Sequence, residues 1–131
     1  MIYLDSCVVI YAVEDASPRG ARVRQRLADL ADEVAAITPL VMLECLVGPL
    51  RDDDLAMADH YRRAFEQFQM LDIGAPDYLR AAELRARQGL RTPDAIHLAV
   101  AQLSGCRELW TNDSRLTTAS HGLALDATVA G

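Results

Sequence analysis

The sequence predicts an α/β domain of three layers, with a central, mostly parallel sheet of four to five strands and helices on both faces. Two observations carry this. Short apolar runs of three or four residues alternate with longer helical segments, and strands separated by helices of such length pair in parallel beneath them. Several helices also open on a Ser-Pro or Thr-Pro pair, a capping residue followed by proline at the first helical position.

Taken in order, Ile2-Tyr3-Leu4 reads as a buried strand ending at Asp5, and Ser6 is placed to cap a helix that runs to about Ala12. Ser17-Pro18 starts an amphipathic helix whose apolar stripe is Val23, Leu27, Leu30 and Val34. Ala35-Ala36-Ile37 is a short strand, and Thr38-Pro39 begins a helix that Gly48-Pro49 is expected to stop. Residues 51–69 are charged, with Leu55, Ala58, Phe65 and Phe68 at helical spacing, and Met70 to Ile73 reads as a strand. A helix from Ala75 to Gln88 ends at Gly89, and Thr92-Pro93 opens another that runs to Leu103. Glu108 to Thr111 is a strand, Leu116 to Ala119 a helical turn, and Leu123 to Leu125 a last strand. With 131 residues, 51% of them apolar, and no repeat or linker, residues 1–131 are expected to form a single domain.

Composition excludes several classes of function. No apolar stretch approaches the roughly 18 to 20 residues that span a bilayer, and no basic segment precedes an apolar run at the start, so a cytoplasmic protein is expected with no membrane partner. Cys7, Cys45 and Cys106 are odd in number and far apart, which fits neither a disulfide framework nor a zinc site. All 13 basic residues are arginine. A net charge of −6 argues against nucleic acid only if it is spread evenly; acids gathered around a cation leave a different face to a phosphate backbone.

Four acids stand where such a sheet gathers ligands. Asp5 and Asp113 end strands, and ligands of open α/β sheets bind outside the carboxyl ends of the strands. Asp94 lies in the first turn of a helix whose N-terminus faces the same rim. Glu44 is the only charge between Pro39 and Gly48, so its partner must come from elsewhere in the fold: a metal, a basic residue or a hydroxyl network. Each acid alone also fits a structural role, as a helix-terminal or turn residue. Placed together they repel: two unit charges at ~4 Å cost roughly 4 kcal/mol at an effective dielectric of 20. A divalent cation relieves this, and an all-oxygen set suits Mg²⁺ or Mn²⁺ rather than zinc. Phosphodiester hydrolysis by a metal-activated water is the chemistry such a set supports.

The segments Ile2-Tyr3-Leu4-Asp5-Ser6, Thr92-Pro93-Asp94-Ala95-Ile96-His97-Leu98-Ala99 and Leu109-Trp110-Thr111-Asn112-Asp113, with Glu44 in an apolar helix, resemble the PIN domain and, in order of acids and length, the VapC toxins of type II toxin–antitoxin pairs. The resemblance covers essentially the whole chain. It implies a PIN-like fold and a Mg²⁺- or Mn²⁺-dependent endoribonuclease, often a homodimer, inhibited by a cognate VapB-like antitoxin that enters the acidic groove. By residue it implies that Asp5, Asp94 and Asp113 bind metal, that Glu44 helps position metal or water, and that Ser6 and Asn112 orient acids or substrate. Thr117 stands near the place of a further family ligand, and His97, one turn beyond Asp94, is read first as a core residue. Arg19, Arg22 and Arg26 share a helix face that reads as solvated or as a contact for phosphates or an acidic antitoxin segment.

Two rivals are weighed. A haloacid-dehalogenase-like phosphatase resembles D-x-D at the strand end, but Cys7 stands two beyond Asp5 and the chain has no lysine. A catalytically weak PIN-like module that acts by binding is opposed by the intact four-acid set.

Overall fold

The computed structural model describes residues 1–129. Five strands, β1 (Ile2–Leu4), β2 (Ala35–Ile37), β3 (Gln69–Met70), β4 (Glu108–Trp110) and β5 (Ala124–Leu125), form one sheet in the order β3-β2-β1-β4-β5. Every pairing is parallel. The helices are α1 (Ser6–Glu14), α2 (Pro18–Ala28), α3 (Pro39–Arg51), α4 (Leu55–Phe65), α5 (Ala75–Gln88), α6 (Thr92–Leu103) and α7 (Ser114–Ala119). Helices α1 to α4 pack among themselves, and α5 to α7 do likewise. The expected three-layer α/β architecture is present.

The chain order explains the two layers. From β1 to β3 the sheet grows in one direction; the chain then crosses over β1 through α5 and α6 to reach β4, and grows the other way to β5. Right-handed crossovers in opposite directions place helices on opposite faces. β1 and β4 are therefore central neighbours at the reversal of strand order, where such sheets bind ligands.

β1 is wholly buried: Ile2, Tyr3 and Leu4 are each 0% exposed. Helix α6 is buried from Asp94 through Ala101, which is why its sequence is apolar on all sides rather than along one stripe. Gly89, in the left-handed region at φ 67°, closes α5 and turns the chain into α6.

Several boundaries differ from the sequence reading, β4 among them, since it ends at Trp110 rather than Thr111. Helix α3 passes through Gly48-Pro49 and ends at Arg51, because buried Pro49 lies in the last turns and bonds from Asp52 N to Gly48 O (3.1 Å) and Asp54 N to Pro49 O (2.8 Å) carry the chain past it. Helix α2 stops at Ala28; Val34 is drawn away to accept from Ile2 N at 2.8 Å on the approach to β2. β3 is Gln69–Met70 rather than 70–73, since Asp72 and Ile73 lead into α5, whose Asp77 side chain accepts from Gly74 N at 2.8 Å. β5 begins at Ala124 rather than Leu123.

Helix α2 sits tightly on the end of α1. Arg24 Nη1 donates to the carbonyls of Tyr11, Ala12 and Asp15 at the end of that helix, where backbone donors run out. A Cβ on Gly20 would lie 1.9 Å from Asp15 O, so only glycine fits, whereas a Cβ on Gly48 in α3 would meet nothing within 4 Å. Gly20→Ala is therefore expected to destabilise by about 1 to 3 kcal/mol, and Gly48→Ala to stabilise by about 0.5 to 1 kcal/mol. Urea unfolding of the two variants checks both signs.

Candidate active site

The site lies at the carboxyl ends of β1 and β4. Asp5 follows β1 directly, and its backbone N–H donates to Trp110 O of β4 at 3.0 Å, which ties the two strand ends together. Its carboxylate, and not Ser6 as the sequence reading has it, is the N-cap of α1, which begins at Ser6: Oδ1 accepts from Ser6 N at 2.7 Å, and Oδ2 accepts from Thr111 Oγ1 at 2.7 Å. The Ser6 hydroxyl lies 3.5 Å from the same Oδ1. Thr111 in turn accepts from Asp113 N at 3.1 Å, so one hydroxyl sets the spacing of both strand-end acids.

Asp113 caps α7, its Oδ1 accepting from Arg115 N (2.8 Å) and Leu116 N (3.2 Å). Its Oδ2 points instead towards Arg91 Nη2, 3.9 Å away. Asp94, in the first turn of α6, is buried and pairs with Arg91 Nε at 3.2 Å. Burial, and beyond it the charges of Asp113 and Asp5, holds the Asp94 carboxyl above the usual carboxylate range, while Arg91 works the other way. Arg91 thus stands between two acids while its own side chain is 69% exposed.

Glu44 comes from α3 on the opposite layer. Its expected partner from elsewhere is His97: Nε2 lies 2.6 Å from Glu44 Oε1. The helix is less buried around Glu44 than its apolar sequence suggests, with the Glu44 side chain 27% exposed and Leu43 and Val47 open to solvent. His97 is fully buried and also lies 3.6 Å from Asp5 Oδ1, so it is more than a core residue. Among the described residues, Asp5, Glu44 and His97 bring ligand atoms within 4.8 Å of one another. Asp94 and Asp113 form a second pair, joined to each other through Arg91.

Other residues of the rim have structural work. Asn112 Nδ2 donates to Tyr11 Oη at 2.5 Å, and the Tyr11 ring carries the Arg19 guanidinium 4.1 Å above it. Arg22 and Arg26 donate to the carbonyls of Thr128 and Val129, which fastens the end of the described chain to α2. Thr117 is exposed and its hydroxyl donates to Asp113 O at 3.0 Å, so it reinforces α7. Cys7 lies 3.7 Å from Asp5; burial and then the Asp5 charge push its thiol up to about 12, which makes it a poor nucleophile. Sequence reasoning passed over Arg91, Tyr3 and Thr38. An arginine three residues before Asp94 was the one visible signal for Arg91.

A folded-state carboxyl held above its unfolded value favours the protonated form, so its ionisation costs stability as pH rises through the carboxylate range. Asp94→Asn is expected to raise the melting temperature at pH 7 by roughly 2 to 5 °C, with the gain disappearing as pH falls below about 4. Thermal melts of both proteins across pH 3 to 8 measure this.

Comparison with known proteins places the chain. The PIN domain profile matches residues 2–121. No curated protein sequence matches significantly. Among solved structures, a toxin–antitoxin complex from Klebsiella pneumoniae is similar at a TM-score of 0.78 and 24% identity, covering 97% of this chain and 98% of that one. VapBC2 from Rickettsia felis, bound to a DNA fragment from its promoter, is similar at 0.80 and 20% identity, covering 95% and 98%. VapC20 of Mycobacterium tuberculosis, a Sarcin-Ricin loop cleaving toxin, is similar at 0.76 and 17% identity, covering 91% and 95%. At these identities the structures share the fold, and with a profile that spans nearly its whole length the chain belongs to the PIN domain family.

Proposed function

We propose that this chain is the toxin of a VapBC-type pair, an endoribonuclease that hydrolyses RNA phosphodiester bonds with Mg²⁺ or Mn²⁺ held by Asp5, Asp94 and Asp113 and with Glu44 beside them. The observation that carries the reading is the convergence of three acids on the ends of β1 and β4 and the start of α6, with one exposed arginine between two of them. The donor set fits the cation: these acids offer hard oxygens, and a buried carboxyl whose nearest ion-pair partner is a solvent-exposed side chain gains from a closer positive charge. The PIN family is one of nucleases, and the fold is that of a toxin that cleaves a Sarcin-Ricin loop.

Bound there, Mg²⁺ would lower the pKa of a water and offset charge on the phosphate oxygens. The protein's own contribution is positional. Ser6 N and Thr111 Oγ1 fix the Asp5 carboxylate, and two α7 amides fix Asp113 by one oxygen while leaving Oδ2 turned to Arg91. Arg91, exposed and held by long contacts, is free to give way and meet the phosphate backbone. The Glu44 side chain is 27% exposed, within reach of solvent, and its carboxylate is the group that would accept a proton from an attacking water.

The proposed setting is the cytoplasm, as a homodimer inhibited by a VapB-like antitoxin. The toxin–antitoxin complex from Klebsiella pneumoniae supports the antitoxin partner, and no helix among the described residues is long and apolar enough to cross a membrane.

Antitoxin-free protein incubated with total bacterial RNA and Mg²⁺ is expected to give discrete fragments, to give none with EDTA, and to lose at least about 100-fold in rate as Asp5→Asn. Cleavage by Asp5→Asn at the wild-type rate contradicts the metal assignment. Expression alone is expected to arrest growth, and co-expression of the protein encoded beside it to restore it.

A further inference from the structure

His97 has both ring nitrogens engaged and no surface exposed. Nδ1 lies 2.5 Å from Tyr3 Oη, and Tyr3 Oη lies 2.9 Å from Thr38 Oγ1. On the other side Nε2 lies 2.6 Å from Glu44 Oε1 and 3.6 Å from Asp5 Oδ1. The chain of contacts therefore runs from the end of β2 through β1 and α6 to α3. Since Asp5, Glu44 and His97 bring ligand atoms within 4.8 Å, two opposite roles are open to Nε2: a lone pair for a cation, or an N–H donor to the acids.

We propose that His97 is a positioning residue whose Nε2 carries a proton, donated to Glu44, so that the ring holds that carboxylate beside Asp5 and does not ligate metal. Both groups facing Nε2 are carboxylates, which offer lone pairs and no proton. A bare nitrogen 2.6 Å from Glu44 would set lone pair against lone pair at a ring that no water reaches, a costly arrangement. The far end of the chain agrees. A phenol carries its proton at neutral pH, so Tyr3 has an O–H to donate. For a neutral ring, one set of directions fits all three contacts: Thr38 O–H to Tyr3 O, Tyr3 O–H to His97 Nδ1, and His97 Nε2–H to Glu44.

The consequence for chemistry rests on the nuclease reading above, whereas the place of the proton does not. With Nε2 protonated, the nitrogen is removed from the possible ligand set and a hard, all-oxygen site is left, which favours Mg²⁺ or Mn²⁺ over zinc. Glu44, on a surface-facing helix and 27% exposed, would otherwise be free to turn to water.

The test is a long-range ¹H–¹⁵N correlation spectrum of the imidazoles in protein labelled with ¹⁵N-histidine, without and with saturating Mg²⁺, with the His97 signals assigned by their loss in His97→Gln. The expected result is a proton on Nε2 in both states, and in Tyr3→Phe a shift of Nδ1 towards the value of a lone pair with no donor. An Nε2 that lacks a proton in the metal-free protein, or loses it when Mg²⁺ is added, overturns the proposal and makes His97 a ligand. If calorimetric titration of the same protein with Mg²⁺ shows no binding, the metal reading fails, and the metal-free spectrum still decides the place of the proton. In RNA cleavage, His97→Gln, whose amide N–H can replace the donor, is expected within about tenfold of wild type, and His97→Leu lower by about 100-fold. Equal losses in two folded variants overturn the positioning role.

Discussion

The structure is organised around the like charge that accumulates where β1 and β4 lie side by side. The strand order makes these two neighbours; β1 leads directly into Asp5, β4 ends at Trp110 and reaches Asp113 only at the cap of α7, and α6 brings a third aspartate to the same rim. Acids this close and this buried need compensation, or they protonate or push the rim apart. Much of the surrounding detail serves this end. The first amides of α1 and α7 face Asp5 and Asp113, Thr111 bridges the two strand-end acids, and Arg91 spans the Asp94–Asp113 pair.

These compensating groups are of two kinds. Backbone amides and the Thr111 hydroxyl are part of the sheet and helix geometry and cannot leave without unfolding an element. Arg91 is a long side chain, largely in water, and exposed ion pairs of this kind are weak. Asp5 is therefore permanently ordered, whereas Asp94 and the free oxygen of Asp113 are matched to a charge that can be exchanged. Under the proposed function, such a site is rigid where an acid must be aimed and yielding where a cation or a phosphate would enter. The buried line of Thr38, Tyr3 and His97 extends the rigid part across the sheet to Glu44, on the other helical layer.

The sequence was most readable where one residue type settles a local structure. The apolar triplet before Asp5 marked β1, Glu108 to Thr111 marked β4, and the Ser-Pro and Thr-Pro pairs marked the starts of α2, α3 and α6. Asp5, Asp94 and Asp113 could be singled out from their places near strand ends and a helix start, and Glu44 as the lone charge in an apolar helix. What pairs with what was not visible. Glu44 meets His97 across 53 residues and Tyr3 meets His97 across 94, and no local pattern encodes such contacts. Arg91 reads as an ordinary helix-flanking residue until Asp113 is folded beside it. Proline punctuation misled once, at Pro49, where packing and the next hydrogen bonds outweigh the missing N–H.

The most direct measurement of the central constraint is calorimetric titration of antitoxin-free protein with Mg²⁺ and Mn²⁺, beside the same titration of Asp113→Asn. If unbalanced carboxylates on the β1–β4 rim are the seat of function, the wild-type protein binds saturably, and the variant binds at least about tenfold more weakly. A wild-type protein that takes up neither cation, or an Asp113→Asn variant that binds as tightly as wild type, contradicts it.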